Sequence, residues 1–179
     1  MIFDIRGTHG SGKSWIVHQL LKKFDFEPVE QLGIHLGYYS QQLDTGILGK
    51  YRNICGGCDG IKSADEVCRR VRLFKEKYHH TILEGILVSH TFKRYHELAE
   101  ELGDYTFLFL DTPEEVCIAR VRKRRFHAGR TKPFNPFHLK NDYRQIWTNV
   151  RVKMGEAGHN IVVLNHRDPM PQVLELLNA

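Results

Sequence analysis

Long apolar runs are missing from this chain of 179 residues. No stretch of 18 consecutive apolar residues occurs, which argues against a helix that crosses a bilayer. The first residues also lack the charged and apolar regions of a secretory leader. These absences predict a cytoplasmic protein with no membrane partner. Hydrophobic residues still make up 41% of the chain, enough for a sizeable core, and the length predicts a single domain over residues 1–179.

Cysteine is scarce as well. The four cysteines are Cys55, Cys58, Cys68 and Cys117. Disulfides are rare in the cytoplasm, so none is predicted. Cys55 and Cys58 form a C-x-x-C pair that could begin a zinc site, but no second C-x-x-C or H-x₃₋₅-H pair follows at the usual spacing. We interpret the pair as small residues in a tight turn; zinc, with His79-His80 as partner, is the alternative.

Acidic residues are absent from one stretch of the chain, residues 120–132. That stretch carries seven of the basic residues that give the chain its net charge of +5. They are Arg120, Arg122, Lys123, Arg124, Arg125, Arg130 and Lys132. A basic run of this kind is often a solvated helix face, and it can also bind a polyanion. The choice between the two depends on what precedes it.

The clearest motif lies near the start of the chain, where residues 7–14 match G-x-x-x-x-G-K-[ST] at every fixed position. Phosphate loops of this pattern lie between a buried strand and a helix. Both are predicted here, because Ile2, Phe3 and Ile5 precede the motif and an apolar-faced helix start follows it. The predicted phosphate-binding residues are Gly7, Thr8, His9, Gly10, Ser11, Gly12, Lys13 and Ser14.

The chemistry of this motif is that of a nucleotide site. Its glycines let backbone N–H groups turn inward around phosphates, and the helix N-terminus adds a favourable dipole. Lys13 is expected to reach the β- and γ-phosphates and to be catalytic, while Ser14 is expected to hold Mg²⁺. We therefore predict binding of a nucleoside triphosphate, ATP, with Mg²⁺. A chance match without phosphate binding is the alternative.

Strand and helix patterns alternate along the chain. Apolar runs predict strands at residues 1–6, 81–85, 105–111 and 160–165, and a hairpin at 34–39 and 46–51. Helical patterns lie at residues 13–24, 63–78, 92–102, 113–125, 135–155 and 170–177, several with capping signals. This alternation predicts an α/β fold: a doubly wound, mainly parallel five-stranded sheet of the P-loop type. Ligands of such sheets bind at the carboxyl ends of the strands.

An acid ends one of the buried strands. Glu84 closes the run Thr81-Ile-Leu and is followed by Gly85. At that strand end a carboxylate can lie near Mg²⁺ and the γ-phosphate, so Glu84 is predicted as a metal ligand and a catalytic residue. A strand-end acid that faces solvent is the alternative.

The basic run follows a second landmark, Asp111-Thr112-Pro113-Glu114, which ends the strand at 105–111. Here the chain resembles small P-loop kinases of the thymidylate and nucleoside-monophosphate kinase group, in which such a segment leads into an arginine-rich lid. The resemblance implies a lid over about residues 120–135 whose arginines clamp the transferring phosphoryl group. The lid candidates are Arg120 and Arg124 for the triphosphate and catalysis, with Arg125 and Arg130 toward the substrate. A solvated basic helix end is the alternative for individual residues.

The acceptor region of such kinases corresponds to about residues 34–62. Tyr51 and Arg52 offer stacking surface and charge for a substrate. A kinase that transfers to a hydroxyl gains from a nearby base. Asp59, flanked by glycines that permit close approach, is the first candidate for that catalytic base; Asp44, also a substrate-binding candidate, and Glu84 follow. Turn-forming aspartates are the alternative.

A narrower resemblance involves residues 48–61, Leu-Gly-Lys-Tyr-Arg-Asn-Ile-Cys-Gly-Gly-Cys-Asp-Gly-Ile. With the early phosphate loop, this segment is similar to phage kinases that phosphorylate 5-hydroxymethyl-deoxyuridine within DNA. The resemblance implies a nucleotide acceptor in DNA, a phage protein in the host cytoplasm and, from the wider kinase group, a homodimer. A kinase for a free nucleoside, nucleotide or other metabolite is the alternative. An ATP-gated switch or toxin-like protein is the alternative of another class.

Overall fold

Seven strands form one sheet in the computed structural model, which describes residues 1–52 and 55–178. The strands are β1 (Ile2–Arg6), β2 (Glu27–Gln31), β3 (Ile34–Ser40), β4 (Thr45–Leu48), β5 (His80–Glu84), β6 (Tyr105–Leu110) and β7 (Asn160–Leu164). Their order across the sheet is β2-β3-β4-β5-β1-β6-β7. The five strands from β4 to β7 in this order run parallel, and β2 and β3 are antiparallel additions at one edge.

The predicted fold class is confirmed: the protein is an α/β protein with a mainly parallel sheet. The predicted strand number of five corresponds to the parallel part, and the complete sheet has two more strands. The predicted hairpin is β3 and β4, although β4 ends at Leu48. Strand β2 was missed because Glu-Pro-Val-Glu-Gln is almost entirely polar and exposed. Its proline is tolerated because an edge strand needs fewer N–H donors.

Eight α-helices lie in the described part of the chain. They are α1 (Lys13–Lys23), α2 (Ala64–Lys77), α3 (Ile86–His90), α4 (Lys93–Leu102), α5 (Glu114–His127), α6 (Phe137–Arg144), α7 (Arg151–Glu156) and α8 (Met170–Leu177). A 3₁₀ turn covers Cys58–Gly60, and a π-helical stretch, Gln145–Val150, joins α6 to α7. The helix predicted over 135–155 is therefore continuous in direction but not in hydrogen-bond pattern. None of the described helices has the length and apolar character needed to cross a membrane.

The sheet is buried between two apolar layers. Residues alternate between its faces along each central strand, because successive side chains of a strand point in opposite directions. Phe107 and Phe109 of β6 pack into the layer that contains α2 and α4, whereas Leu108 and Leu110 pack against α1 and α8. Full burial of such a side chain stabilises the fold by about 1.5–3 kcal/mol. The central strands are thereby fixed, and with them the loops at their carboxyl ends.

A buried ion pair lies within β1. Arg6 and Asp4 are both fully buried, with 2.7 Å between Arg6 Nη2 and Asp4 Oδ2. The guanidinium also donates to the Thr91 carbonyl oxygen at 3.1 Å and lies over the rings of Tyr95 and Phe107. Burial raises the pKa of Asp4, and Arg6 opposes that shift. The pair anchors the last residue of β1 immediately before the phosphate loop.

Candidate active site

The phosphate loop, residues 7–14, connects the carboxyl end of β1 to α1. Gly10 and Gly12 have φ angles of 81° and 115°, in the region that favours glycine. A Cβ atom on Gly10 would lie 2.6 Å from the carbonyl oxygen of Cys117, so this position cannot hold a side chain without displacement. A Cβ on Gly12 would meet only Arg120 Nη1, at 3.7 Å. The space beside Gly12 is therefore open and can receive an anion.

Lys13 is buried at the base of this loop. Its ammonium group donates to the carbonyl oxygen of Gly7 at 2.6 Å and to that of Thr8 at 3.1 Å. Burial lowers the pKa of Lys13, and the carboxylates of Glu84 and Asp59 counteract that effect. The ammonium group thus lies inside the curve of the loop, beside two acids.

Glu84 reaches the loop because β5 is paired in parallel with β1, which puts Glu84 beside Ile5. Ser14 donates from Oγ to Glu84 Oε1 at 2.8 Å. Burial raises the pKa of Glu84 to about 7, although Lys13 and the Ser14 hydroxyl pull the pKa downward. A hydroxyl oxygen and a carboxylate oxygen are the hard ligands that Mg²⁺ prefers, so this pair fits a magnesium site next to the loop.

The raised pKa of Glu84 makes stability depend on pH. The Glu84 carboxyl loses its proton near pH 4.5 in the unfolded chain and near pH 7 in the folded chain. Its contribution to the free energy of unfolding is therefore complete below pH 4.5 and is lost as the pH rises to 7. That contribution is on the order of 3 kcal/mol. We expect the free energy of unfolding in metal-free buffer to fall across this window in the wild type, and to fall less in Glu84→Gln. Parallel curves for the two proteins would contradict this assignment.

Helix α5 brings two arginines to the loop. Arg120 donates from Nη1 to the carbonyl oxygens of Ser11 at 3.0 Å and Gly10 at 3.3 Å. At the foot of the helix, the Thr112 hydroxyl donates to the same Ser11 oxygen at 2.7 Å. Arg124, one turn beyond Arg120, donates from Nη1 to Cys55 Sγ at 2.7 Å. The predicted lid therefore closes over the loop from one side and reaches the acceptor region on the other.

A cavity of about 560 Å³ lies between the loop and the lid. Its lining includes Lys13, Glu84, Asp59, Arg120 and Arg124. All five residues that were predicted to be catalytic thus face one space. Lys123 and His127 of α5 also line it, which sequence reasoning did not specify.

A wider groove of about 1120 Å³, called the basic groove below, adjoins this cavity. Its basic side chains are Arg52, Arg124, Arg125 and Arg130, and it also contains Trp15 and His18. Arg125 also makes contacts within the protein: it donates to the Lys132 carbonyl oxygen at 3.0 Å and lies over the Phe134 ring. The basic groove therefore combines three of the four predicted lid arginines with the predicted Arg52.

A third, smaller cavity of about 330 Å³ lies on the other side of Arg120. It is lined by Trp15 and by His166 and Arg167, which follow β7. Asp111 Oδ1 accepts from the His166 backbone N–H at 2.6 Å and holds this loop in place. His166 and Arg167 were not predicted as site residues. The fact that they follow the carboxyl end of a predicted strand could have indicated them. Trp15, which lines both this cavity and the basic groove, is 48% exposed.

Asp59 supports α3 as well as lining the cavity. Its carboxylate accepts from the backbone N–H of Ile86 at 3.0 Å and from that of Leu87 at 3.2 Å. These are the first N–H groups of α3, which have no partner within the helix. A negative charge is favourable at that end because of the helix dipole. Asp59 is thus held by two bonds and has lone pairs left for a substrate hydroxyl.

The remaining predicted substrate residues divide into two groups. Tyr51 is buried near the Glu84 carboxylate, and burial with that charge raises the pKa of Tyr51 well above its usual value. Asp44 is not brought to the site: it forms the turn before β4, and its carbonyl accepts from His80 N–H at the amino end of β5. Asp44 therefore lies at the amino ends of the parallel strands, whereas Glu84 lies at the carboxyl end of β5. Asn53 and Ile54, within the segment that carried the narrower resemblance, lie outside the described residues.

Two relatives from phages match nearly the whole chain. A "5-hmdU DNA kinase" of Pseudomonas phage PaMx11 is 29% identical over 189 residues, with coverage of 99% of this chain and 97% of the relative. A "5-hmdU DNA kinase" of Delftia phage PhiW-14 is 27% identical over 202 residues and is covered to 72%. The predicted resemblance is confirmed. The prediction of a P-loop kinase agrees with the names of both relatives.

Among solved structures, a deoxyadenosine kinase from M. mycoides with bound dATP matches 100% of both chains, with a TM-score of 0.45 and 16% identity. No protein-family model matches the chain.

Proposed function

We propose that this protein is an ATP- and Mg²⁺-dependent kinase that phosphorylates the hydroxymethyl group of 5-hydroxymethyluracil within DNA. The observation that carries the proposal is the shared cavity, in which a phosphate loop, a Ser14–Glu84 pair and a lid arginine surround one space that opens into the basic groove. The names of the phage relatives support the choice of acceptor.

The donor nucleotide binds along the loop. Backbone N–H groups of residues 10–14 hold the β- and γ-phosphates, and Lys13 and Arg120 neutralise the charge that develops on the transferring group. The small cavity beside His166 and Arg167 receives the nucleoside part of ATP. Ser14 and Glu84 would hold Mg²⁺, which would supply neutralisation of the negative charge on the phosphates when it is bound.

The acceptor enters from the opposite side of the cavity. A base inside a duplex cannot reach the γ-phosphate, so the modified nucleotide must leave the base stack to place its hydroxymethyl group there. Asp59 takes the proton from that hydroxyl while the oxygen attacks the γ-phosphorus and ADP leaves. The Asp59 carboxylate is already fixed by the Ile86 and Leu87 amides, so little reorganisation is needed for this step.

The basic groove binds the flanking phosphodiester backbone. Each phosphate that is neutralised by a basic side chain releases counterions, so binding weakens steeply with salt. Arg52 and Arg130 are exposed and line the groove. Arg124 and Arg125 make contacts within the protein and are therefore poorer probes.

Replacement of both Arg52 and Arg130 by alanine is expected to flatten the salt dependence of DNA phosphorylation. The slope of log KM against log salt concentration should fall by about 1–2 because each phosphate contact contributes roughly 0.9. Initial rates over a range of KCl concentrations measure this slope. Lys77→Ala is the matched control, since Lys77 is exposed in the last turn of α2, just before the amino end of β5 and outside the lining of the groove. An unchanged slope in the double variant would remove the groove from the DNA-binding surface.

The function itself is tested with γ-labelled ATP and Mg²⁺. The acceptors are duplex and single-stranded DNA with and without 5-hydroxymethyluracil, and a panel of free nucleosides and monophosphates. Label in modified DNA alone is the expected result. Label in a free nucleoside or nucleotide would instead make the protein a metabolite kinase. Tight ATP binding without transfer to any acceptor would favour a nucleotide-gated switch.

A further inference from the structure

A second cluster of chemically active side chains lies far from the phosphate loop. His96 and Glu100 are one turn apart on α4, and His159 immediately precedes β7. Since β7 runs parallel to β1, its amino end lies at the edge of the sheet opposite the phosphate loop. In the described part of the chain, these three are the group of at least three His, Cys, Asp or Glu side chains whose donor atoms all lie within 4.8 Å of one another.

The two imidazoles face each other nitrogen to nitrogen. His96 Nδ1 and His159 Nε2 are 2.7 Å apart, so one ring must carry a hydrogen and the other a lone pair. Glu100 Oε1 lies 3.7 Å from His159 Nδ1. The shared proton between the rings occupies the position at which both lone pairs converge. A cation there would take the place of that proton.

The surroundings hold both rings in this orientation. His96 is stacked on Phe92, with 5.2 Å between ring centroids and 7° between planes. The ring of His159 packs against that of Phe107, with 5.3 Å between ring centroids and 64° between planes. Burial lowers the pKa of His159, and the neighbouring His96 lowers it further. A neutral imidazole is the form that binds a metal, and the hydrogen between the two rings moves to the other nitrogen of its own ring when a cation takes its place.

We propose that His96, Glu100 and His159 form a zinc site that joins α4 to the amino end of β7. Two imidazole nitrogens and one carboxylate oxygen are a donor set that zinc commonly takes, with water as a fourth ligand. Tetrahedral bonds of 2.0–2.1 Å separate two donors by roughly 3.4 Å. The imidazole nitrogens must therefore move apart by roughly 0.7 Å from their present 2.7 Å, and the exposed Glu100 side chain must rotate inward.

This site lies outside the catalytic machinery, so its occupancy does not depend on the proposed function. A metal bound by these residues would fix the amino end of β7 against α4. The carboxyl end of β7 leads to His166 and Arg167 at the donor side of the active site. Zinc that binds only the folded chain stabilises it by mass action.

The test is titration of the tag-free full chain with Zn²⁺ in buffer that contains saturating Mg²⁺. At a zinc concentration 100-fold above Kd the midpoint of thermal unfolding should rise by on the order of 5 °C. Calorimetry should give one tight site per chain, and Co²⁺ should give visible absorption bands of a low-symmetry site. His159→Gln should abolish the shift, whereas His138→Gln, which changes an exposed histidine of α6, should retain it.

Because His159 is largely buried, its variant could be destabilised for other reasons. Glu100→Ala removes an exposed ligand without touching the core, and it should weaken zinc binding at least tenfold with an unchanged melting midpoint in the absence of metal. Zinc binding of equal affinity in the wild type, His159→Gln and Glu100→Ala would overturn the site. So would the absence of any zinc-dependent shift in the wild type.

Discussion

Replacement of Lys13 by alanine is expected to abolish measurable phosphoryl transfer, with a loss of roughly 10³-fold or more in kcat. The Lys13 ammonium group is a buried cation at the base of the loop, near the Glu84 carboxylate. Within the described part of the chain its hydrogen bonds go to the loop carbonyl oxygens of Gly7 and Thr8, so the fold should survive the change. Initial-rate kinetics on modified DNA, with circular dichroism as the folding check, measure both effects.

Lys22→Ala is the control for this prediction because it removes the same charge from an exposed position on the same helix. It should leave kcat unchanged. Undiminished turnover in Lys13→Ala would contradict the assignment of residues 7–14 as the phosphate loop. Loss of helical signal together with activity would show that Lys13 serves the fold instead.

Replacement of Asp59 by asparagine is expected to lower kcat by about 10²-fold with little change in KM. The amide keeps the size of the side chain and one oxygen that can accept a bond from the start of α3. It cannot take a proton from the acceptor hydroxyl. Single-turnover measurements with modified DNA separate the transfer step from binding and product release.

The structure also gives Asp59 a capping role, and the two roles predict different results. Loss of a cap costs about 1 kcal/mol of stability and is visible as a lower melting midpoint. Loss of a base is visible in kcat and in its dependence on pH, while the midpoint changes little. A variant with full kcat but a raised KM or a lower midpoint would leave Asp59 as a structural residue and turn attention to other acids of the cavity.

The positions of those candidate residues that depend on local sequence could be predicted, and their roles in catalysis stay predictions. The phosphate loop depends on a fixed spacing of glycine, lysine and serine between a buried strand and a helix, and all three elements are local. Glu84 was predicted because it closes a short apolar run and is followed by a glycine. The lid arginines lie within about 20 residues of the end of β6, on or just after the helix that follows it, so they too could be placed from the order of elements alone.

Features that depend on contacts between distant segments were not predicted. Strand β2 has almost no apolar residues and is a strand only because β3 offers it an edge. Asp44 lies in the same predicted hairpin as Tyr51, but the direction of β4 sends the two to opposite ends of the sheet. Trp15 has a large apolar side chain of the kind that is usually buried, and only the packing of α1 shows that it is 48% exposed. The donor-side residues His166 and Arg167 lie about 150 residues beyond the loop that they adjoin.

The hydrogen bonds of Lys13 have a consequence for binding. Its ammonium group has three N–H donors, and two of them are directed at the carbonyl oxygens of Gly7 and Thr8. One donor is left for a triphosphate oxygen, so Lys13 can add a single hydrogen bond to a bound nucleotide while it keeps its contacts with the loop. We expect the gain in ground-state affinity from this residue to be small, and to grow as negative charge accumulates on the migrating group. A nucleotide should therefore bind mainly through the backbone amides of the loop, and Lys13 should contribute more to the transition state of transfer than to binding.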